Sequence, residues 1–338
     1  MADETFGLEI GDSYFRAADI QVINGQFNLF SFGFLEKLNS IYTSQNEKNL
    51  SEAAGDIEKL VQSLKIKKKA VNIIIPDTYT YSHILTMPYL KEKELLSAIK
   101  YQADQFIPLP MEETSLDLDI LSEDKAHKNL LILVVAAPNN FVDRIVSLVE
   151  KAGLIPENLE NQASSVCRLL NFLKMKQATI FVNFDYYSTT LYFYNPQLNL
   201  VTHIYNFKIG LNLFLKEIQV NYNLDIAKAD QALKTIGLAS GGSMNLAYIL
   251  QPALNEFCQE LEKFIISLKE KDNITKIDQI AVFNLANKFN QFEKGIQTRL
   301  GINTFQFDLS SMIVKNNNYP IFNQAKSAFI SVLGEALK

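Results

Sequence analysis

Two stretches far apart in the chain are built to one plan, and that plan limits the fold more than any other feature. Residues 5–35 read as three consecutive strands, "TFGLEIG", "YFRAADIQVI" and "QFNLFSFGFLEK", with Asn24-Gly25 as the hairpin signal between the second and third. Residues 177–210, "QATIFVNFDYYSTTLYFYNPQLNLVTHIYNFKIG", repeat the pattern, with a Pro-containing turn at 195–199. Helical sequence follows each copy. A duplicated strand meander followed by helices points to two related α/β halves.

The rest of the pattern fits between and after these copies. Residues 50–65 form an amphipathic helix, with Ser51 placed to cap it and Ile57, Leu60, Val61 and Leu64 on one face. "AVNIIIP" (70–76) is a buried strand. A strand (79–90), a helix (91–110) ended by Pro108 and Pro110, two strands (114–121 and 129–138) and a helix (139–154) ended at Gly153 then form a β-α-β-β-α insertion. A helix over 157–174 leads into the second meander. After it come helices at 211–222 and 225–236, the loop "GLASGGS", and a long helix at 245–270. In that helix Leu250, Leu254, Phe257, Leu261, Phe264 and Leu268 form an apolar stripe. The stripe suits packing on a sheet, with a dimer seam as the sharper alternative. A strand at 278–283, helix 289–300, strand 303–308 and helix 324–338 complete the pattern. The expected domains are a first lobe, 1–176, containing the inserted subdomain 79–157; a second lobe, 177–323; and a C-terminal helix, 324–338, packing back on the first lobe.

Composition excludes several function classes. A net charge of −5 over 338 residues offers no basic face for nucleic acid. The run "KIKKKA" (65–70) suits a solvated helix end. Cys167 and Cys258 are isolated, and His83, His127 and His203 share no spacing with them or each other, so neither a disulfide framework nor a metal site is expected. No apolar run reaches about 18 residues, and the acidic "MADETFGLEI" is no signal peptide, so the expectation is a cytoplasmic protein. No GxSxG or other nucleophile motif suggests unrelated chemistry.

Several stretches in order resemble one family. "FGLEIGDSYFRAADI", "MPYLKEKELLSAIKYQADQFIPLP", "VVAAPNNFVDRIVSLVEKAGLIPENLE" and the final "SAFISVLGEALK" are similar to the PilM proteins of type IV pilus assembly, relatives of the cell-division protein FtsA. The resemblance spans nearly the whole chain, and the 91–110 stretch is its most specific part. It implies an actin-like ATPase (ribonuclease H-like, duplicated) two-lobed α/β fold with an inserted β-α-β-β-α subdomain. In that family two hairpin turns hold nucleotide phosphates, acidic side chains hold Mg²⁺ through waters, and a third, glycine-rich turn lies against the adenosine.

The nucleotide-site positions depart from the family at each turn. The first turn is Glu9-Ile10-Gly11-Asp12-Ser13, where Glu9 replaces an aspartate and is one methylene longer. Gly11 keeps the turn feasible and Ser13 offers a hydroxyl. The second turn, from Asn183 to Thr190, has lost its carboxylate at Asn183 and its glycine at Asp185, and carries Tyr186 and Tyr187 in place of small residues. In the third, Phe283, Asn284 and Leu285 stand where glycines are expected. A softer departure puts Leu233 in a lysine slot, with Ala229 and Asp230 matching and Lys234 one position late. Tyr186, Tyr187 and Phe283 are the side chains expected to fill a vacated cleft. The resemblance therefore leads to an expected pseudo-ATPase with no cofactor and no catalytic residue, although ATP and Mg²⁺ belong to the family. An active Mg-ATPase with Glu9 and Asp185 in an altered metal site is the alternative.

The family also implies a partner: the cytoplasmic tail of a PilN-like inner-membrane protein, held in a groove beside the inserted subdomain. Ile99, Ala103, Phe106 and Ile107 are the expected groove residues. A type II secretion GspL-like domain shares the fold and would be followed by a membrane span.

Overall fold

The computed structural model describes residues 5–37, 41–42, 46–102, 107–239, 244–272, 274 and 276–338. The chain divides into two compact units. One comprises residues 1–173, 312–321 and 331–338; the other comprises 174–311 and 322–330. The chain passes from one unit to the other after residues 173, 311, 321 and 330.

The first unit is built on a five-stranded sheet. Its strands in chain order are β1 (Thr5–Ile10), β2 (Tyr14–Ile23), β3 (Gln26–Glu36), β4 (Ala70–Ile75) and β8 (Ile155–Asn161), and the spatial order is β3-β2-β1-β4-β8. Asn24 and Gly25 both have positive φ, 51° and 76°, as the two-residue hairpin between β2 and β3 requires. Strand alternation sends Phe6, Leu8 and Ile10 into a core shared with α1 (Glu47–Ser63) and α3 (Asn139–Lys151). The N-cap of α1 is Asn46, whose side chain accepts from the Lys48 N–H; Ser51, the expected cap, lies inside the helix and bonds the Glu47 carbonyl. The opposite face of the sheet carries α4 (Gln162–Leu173) and α10 (Ile330–Glu335). The expected helix at 157–174 begins only at residue 162, because 155–161 is the edge strand β8, parallel to β4.

An insertion between β4 and β8 forms a second, three-stranded sheet ordered β5-β7-β6, from β5 (Tyr81–Pro88), β6 (Thr114–Asp124) and β7 (Asn129–Pro138). Helix α2 (Glu92–Gln102) covers one face with Leu95 and Ile99 against Met87, Leu130, Ile132 and Val134.

The second unit repeats the five-stranded design: β9 (Thr179–Phe184), β10 (Thr189–Asn195), β11 (Leu200–Phe207), β12 (Gln279–Asn284) and β13 (Thr304–Gln306), in the order β11-β10-β9-β12-β13. Helices α5 (Leu211–Tyr222), α6 (Ile226–Thr235), α7 (Leu246–Asp272) and α8 (Phe292–Leu300) pack with it. The stripe on α7 faces this unit's own core: Phe257 meets Phe184, Phe207 and Phe292, and Phe264 stacks on Tyr205. It is therefore not available as a dimer seam. The expected helix at 289–300 is a short 3-10 turn at 285–288 followed by α8. The expected terminal helix is split into α9 (Tyr319–Ala325), a 3-10 turn and α10.

Candidate functional site

The first turn links β1 to β2. Antiparallel register puts Glu9 directly opposite Arg16, so the two side chains share one face. The fully buried Glu9 carboxylate takes a hydrogen bond from Arg16 Nη1 at 3.0 Å and one from Gln162 Nε2, the first residue of α4, at 2.8 Å. The Tyr14 hydroxyl donates to the same carboxylate at 3.3 Å. Arg16 also lies 3.6 Å from the centre of the Tyr14 ring. Gly11 bonds Tyr14 through the backbone at 2.9 Å, and a Cβ at Gly11 would overlap the Tyr14 ring, so this glycine admits a tyrosine. Asp12 accepts from the Tyr79 hydroxyl at 2.5 Å, while the Ser13 carbonyl accepts the Lys37 N–H at 2.7 Å. The start of α4 is also engaged: Asp77 Oδ1 accepts the Ala163 N–H at 2.8 Å and Asn161 Oδ1 the Ser164 N–H at 3.1 Å.

The second turn links β9 to β10. Asp185 accepts the Tyr186 N–H on Oδ1 at 2.8 Å, and its own N–H donates to the Ser188 carbonyl at 3.0 Å. The first N–H groups of α5 point at this turn: Leu211 donates to the Asp185 carbonyl and Asn212 to the Tyr186 carbonyl, both at 2.9 Å. Helix N-termini attract anions because such N–H groups are otherwise open; here main-chain oxygens take them. Gly210 permits the approach, since a Cβ there would lie 2.5 Å from the Asp185 carbonyl oxygen. The hydroxyl run also has partners within the unit. Thr189 Oγ1 donates to the Ile209 carbonyl at 2.7 Å, and Asn206 Nδ2 donates to Thr190 Oγ1 at 2.9 Å and to Ser188 Oγ at 3.4 Å. Tyr186 is buried and meets Tyr187 edge-on at 4.8 Å.

The third turn follows β12, which lies beside β9. Asn284 Nδ2 donates to Asn183 Oδ1 at 2.8 Å, so two of the expected site positions bind one another. The Asn284 backbone sits at φ 66°, ψ −118°, a conformation that favours glycine. Phe283 does not line an opening; it is fully buried between Tyr192 and Phe307, at 6.5 and 6.4 Å. In the helix of the fourth departure, Asp230 pairs with Lys288 at 3.5 Å, while Leu233 is buried and its carbonyl accepts the Asn290 N–H.

The expected groove residues fall in the inserted subdomain. Ile99 and Ile107 are packed in its hydrophobic cores, leaving almost no surface. Ala103 and Phe106 lie outside the described residues. Tyr101, on the same helix as Ile99, is 89% exposed.

Sequence reasoning identified Glu9 but missed Arg16, Tyr14 and Gln162, which determine its environment. One signal was available: counting outward from the Gly11–Ser13 turn pairs 10 with 15 and 9 with 16, so Arg16 opposite Glu9 was readable. The arrival of Gln162 depends on β8 and α4 and had no local signal. Burial pushes the Cys167 thiol well above its ordinary value and that of Cys258 up to about 12, so neither is a poised nucleophile. Among the described residues no three His, Cys, Asp or Glu side chains gather as a metal-holding group, and no helix is long and apolar enough to cross a membrane.

Comparison with known structures agrees with this architecture. The chain is similar over 99% of its length to a PilM–PilN type IV pilus biogenesis complex, covering 98% of that chain at 19% identity with a TM-score of 0.82. Looser likenesses include the ethanolamine utilization protein EutJ from Carboxydothermus hydrogenoformans (TM-score 0.56, 11% identity, 98% of this chain and 88% of that one). Another is MreB 5 of Spiroplasma citri bound to AMPPNP (TM-score 0.51, 10% identity, 98% and 94%). These likenesses establish an actin-like fold. The family model described as type IV pilus assembly protein PilM matches residues 7–338, and the chain belongs to that family.

Proposed function

We propose that this chain is a cytoplasmic adaptor of a type IV pilus, or a related envelope machine, recruited to the inner membrane by the cytoplasmic tail of a PilN-like protein. In this reading its nucleotide-site positions no longer take Mg-ATP. The observation that carries the second part is the closed state of the Glu9 carboxylate. It is the counter-ion of Arg16 and is hydrogen-bonded by Gln162 and Tyr14 in a fully buried place. A hydrated Mg²⁺ requires near-ideal octahedral oxygen ligation. Freeing Glu9 for it would break the buried ion pair with Arg16, a loss of about 3–5 kcal/mol. Asp185 adds a second obstacle, since its carboxylate is turned onto its own backbone while main-chain carbonyls occupy the N-terminus of α5.

Membership of the PilM family and likeness to a PilM–PilN complex support the partner. The tail is proposed to bind beside the inserted subdomain, with Ile99 and Ile107 supporting the surface from beneath and Tyr101 exposed on it. The test is titration of a synthetic PilN-type tail peptide into the full chain, followed by anisotropy. Saturable binding weakened tenfold or more by Tyr101→Glu is expected. Undiminished binding by the folded variant would reject this placement; no binding by the unaltered protein would reject the adaptor reading.

One observation favours the alternative, an active Mg-ATPase with an altered site: Asn284 keeps the backbone conformation a glycine would adopt there. That reading requires ATP turnover that disappears on Glu9→Gln and Asp185→Asn.

A further inference from the structure

The face of the first-unit sheet that carries Glu9 also receives α10, and the contact is unusually close. A Cβ on Gly7 would fall 2.7 Å from Glu335 Oε2 and 3.1 Å from Val332 Cγ1. On the other side a Cβ on Gly334 would collide with the Ser165 backbone of α4. The Ser165 hydroxyl donates to the Ser331 carbonyl, and Arg168 Nη1 donates to the Gly334 carbonyl at 3.1 Å. Arg168 is itself held by both oxygens of Glu160, at 3.1 and 2.6 Å. Two glycines and three side chains thus seat one short helix.

That seating buries a carboxyl group. Glu335 is 6% exposed, and Asn72 Nδ2 donates to its Oε1 at 2.5 Å; Asn72 Oδ1 in turn accepts from Asn158 at 3.0 Å. The carboxyl borders a cavity of about 270 Å³ whose rim includes Thr5, Glu157, Asn158 and Lys338. Removal from water disfavours the charged carboxylate and so favours the protonated carboxyl in the seated helix, while the N–H bond from Asn72 works in the opposite direction.

We propose that the buried Glu335 carboxyl, seated against Gly7, is a proton-dependent latch that holds α10 on the sheet and loosens as pH rises. Burial raises the carboxyl to about 7, with Glu160 adding to the rise and the Asn72 hydrogen bond, Arg168 and Lys338 opposing it. Around this group β8 contributes Glu157 and Glu160, α4 contributes Arg168, and the chain end contributes Lys338. Strand β4 contributes Asn72, which does not titrate. Beyond Thr5, Lys68 is paired with Asp19 at 2.8 Å. None of the three histidines lines the cavity. The docked state therefore binds the extra proton. The docking contribution is full below the ordinary value of 4.5 and is lost as pH rises toward about 7.

Hydrogen exchange on the full chain tests this. Protection of residues 331–338, corrected for intrinsic rates, is expected to fall about tenfold between pH 6 and pH 8. Glu335→Gln, which retains the shape and cannot titrate, is expected to abolish that fall. A change below twofold in the unaltered protein, a tenfold fall that survives in Glu335→Gln, or an equal fall across α5 would each overturn the latch. Carboxyl ¹³C titration of Glu335 in the unaltered protein gives a readout that does not depend on the variant's folding. A midpoint near 7 supports the proposal, and one below about 5.5 overturns it.

Discussion

The turns after β1 and β9 occupy equivalent places in two copies of one meander, yet they are closed by different chemistry. After β1 the acid and the glycine remain, and a buried arginine neutralises the acid. After β9 both are replaced, and the turn is closed by a backbone-bound aspartate, a pair of tyrosines and the docked N-terminus of α5. Closure by charge pairing depends on a few side chains, whereas closure by backbone packing is spread over many atoms. The two turns should therefore respond very differently to single substitutions.

The largest effect is expected from Arg16→Met, which leaves Glu9 charged and buried. It should cost about 3–5 kcal/mol in urea unfolding, with more than half recovered by Glu9→Gln in the same chain. A cost below 1 kcal/mol would mean that Glu9 is not held by the pair. Asn284→Ala should follow at about 2 kcal/mol, because it removes the hydrogen bond to Asn183 Oδ1 and puts at a positive φ a residue that tolerates it less well than asparagine. Asn284→Gly loses the same hydrogen bond but relieves the backbone, so it should be about 1 kcal/mol milder. Equal costs would place the whole effect in the side chain. Asp185→Gly, which restores the glycine, should cost about 1 kcal/mol for the lost bond to Tyr186 and confer no Mg-ATP binding. A gain of binding on that single change would show that Asp185 alone closes the turn. The smallest effect is expected at Lys288→Met, under about 1 kcal/mol, because its pair with Asp230 is long and partly solvated.

Particular elements show what the sequence made legible. The α5 helix lies at the expected residues, and the Asn24-Gly25 hairpin has the expected backbone, because both are specified by local chemistry. Strand β8 was missed: "IPENLEN" has a proline, two glutamates and no alternation, and only pairing with β4 makes it a strand. The cap of α1 is ambiguous in the sequence because Asn46 and Ser51 are both capable residues and the apolar pattern begins nearer the later one. At the candidate site the residue replacements were visible in the sequence, but the partners of Glu9 were not, since Gln162 reaches it from 153 positions away.

The most direct test of the central claim is calorimetric titration of the purified full chain with Mg-ATP, together with mass spectrometry of any nucleotide carried through purification. The closed turns predict no binding at millimolar ATP and no co-purified nucleotide. Saturable binding at micromolar ATP would contradict that prediction and make Glu9, Asp185 and Asn284 parts of a working site.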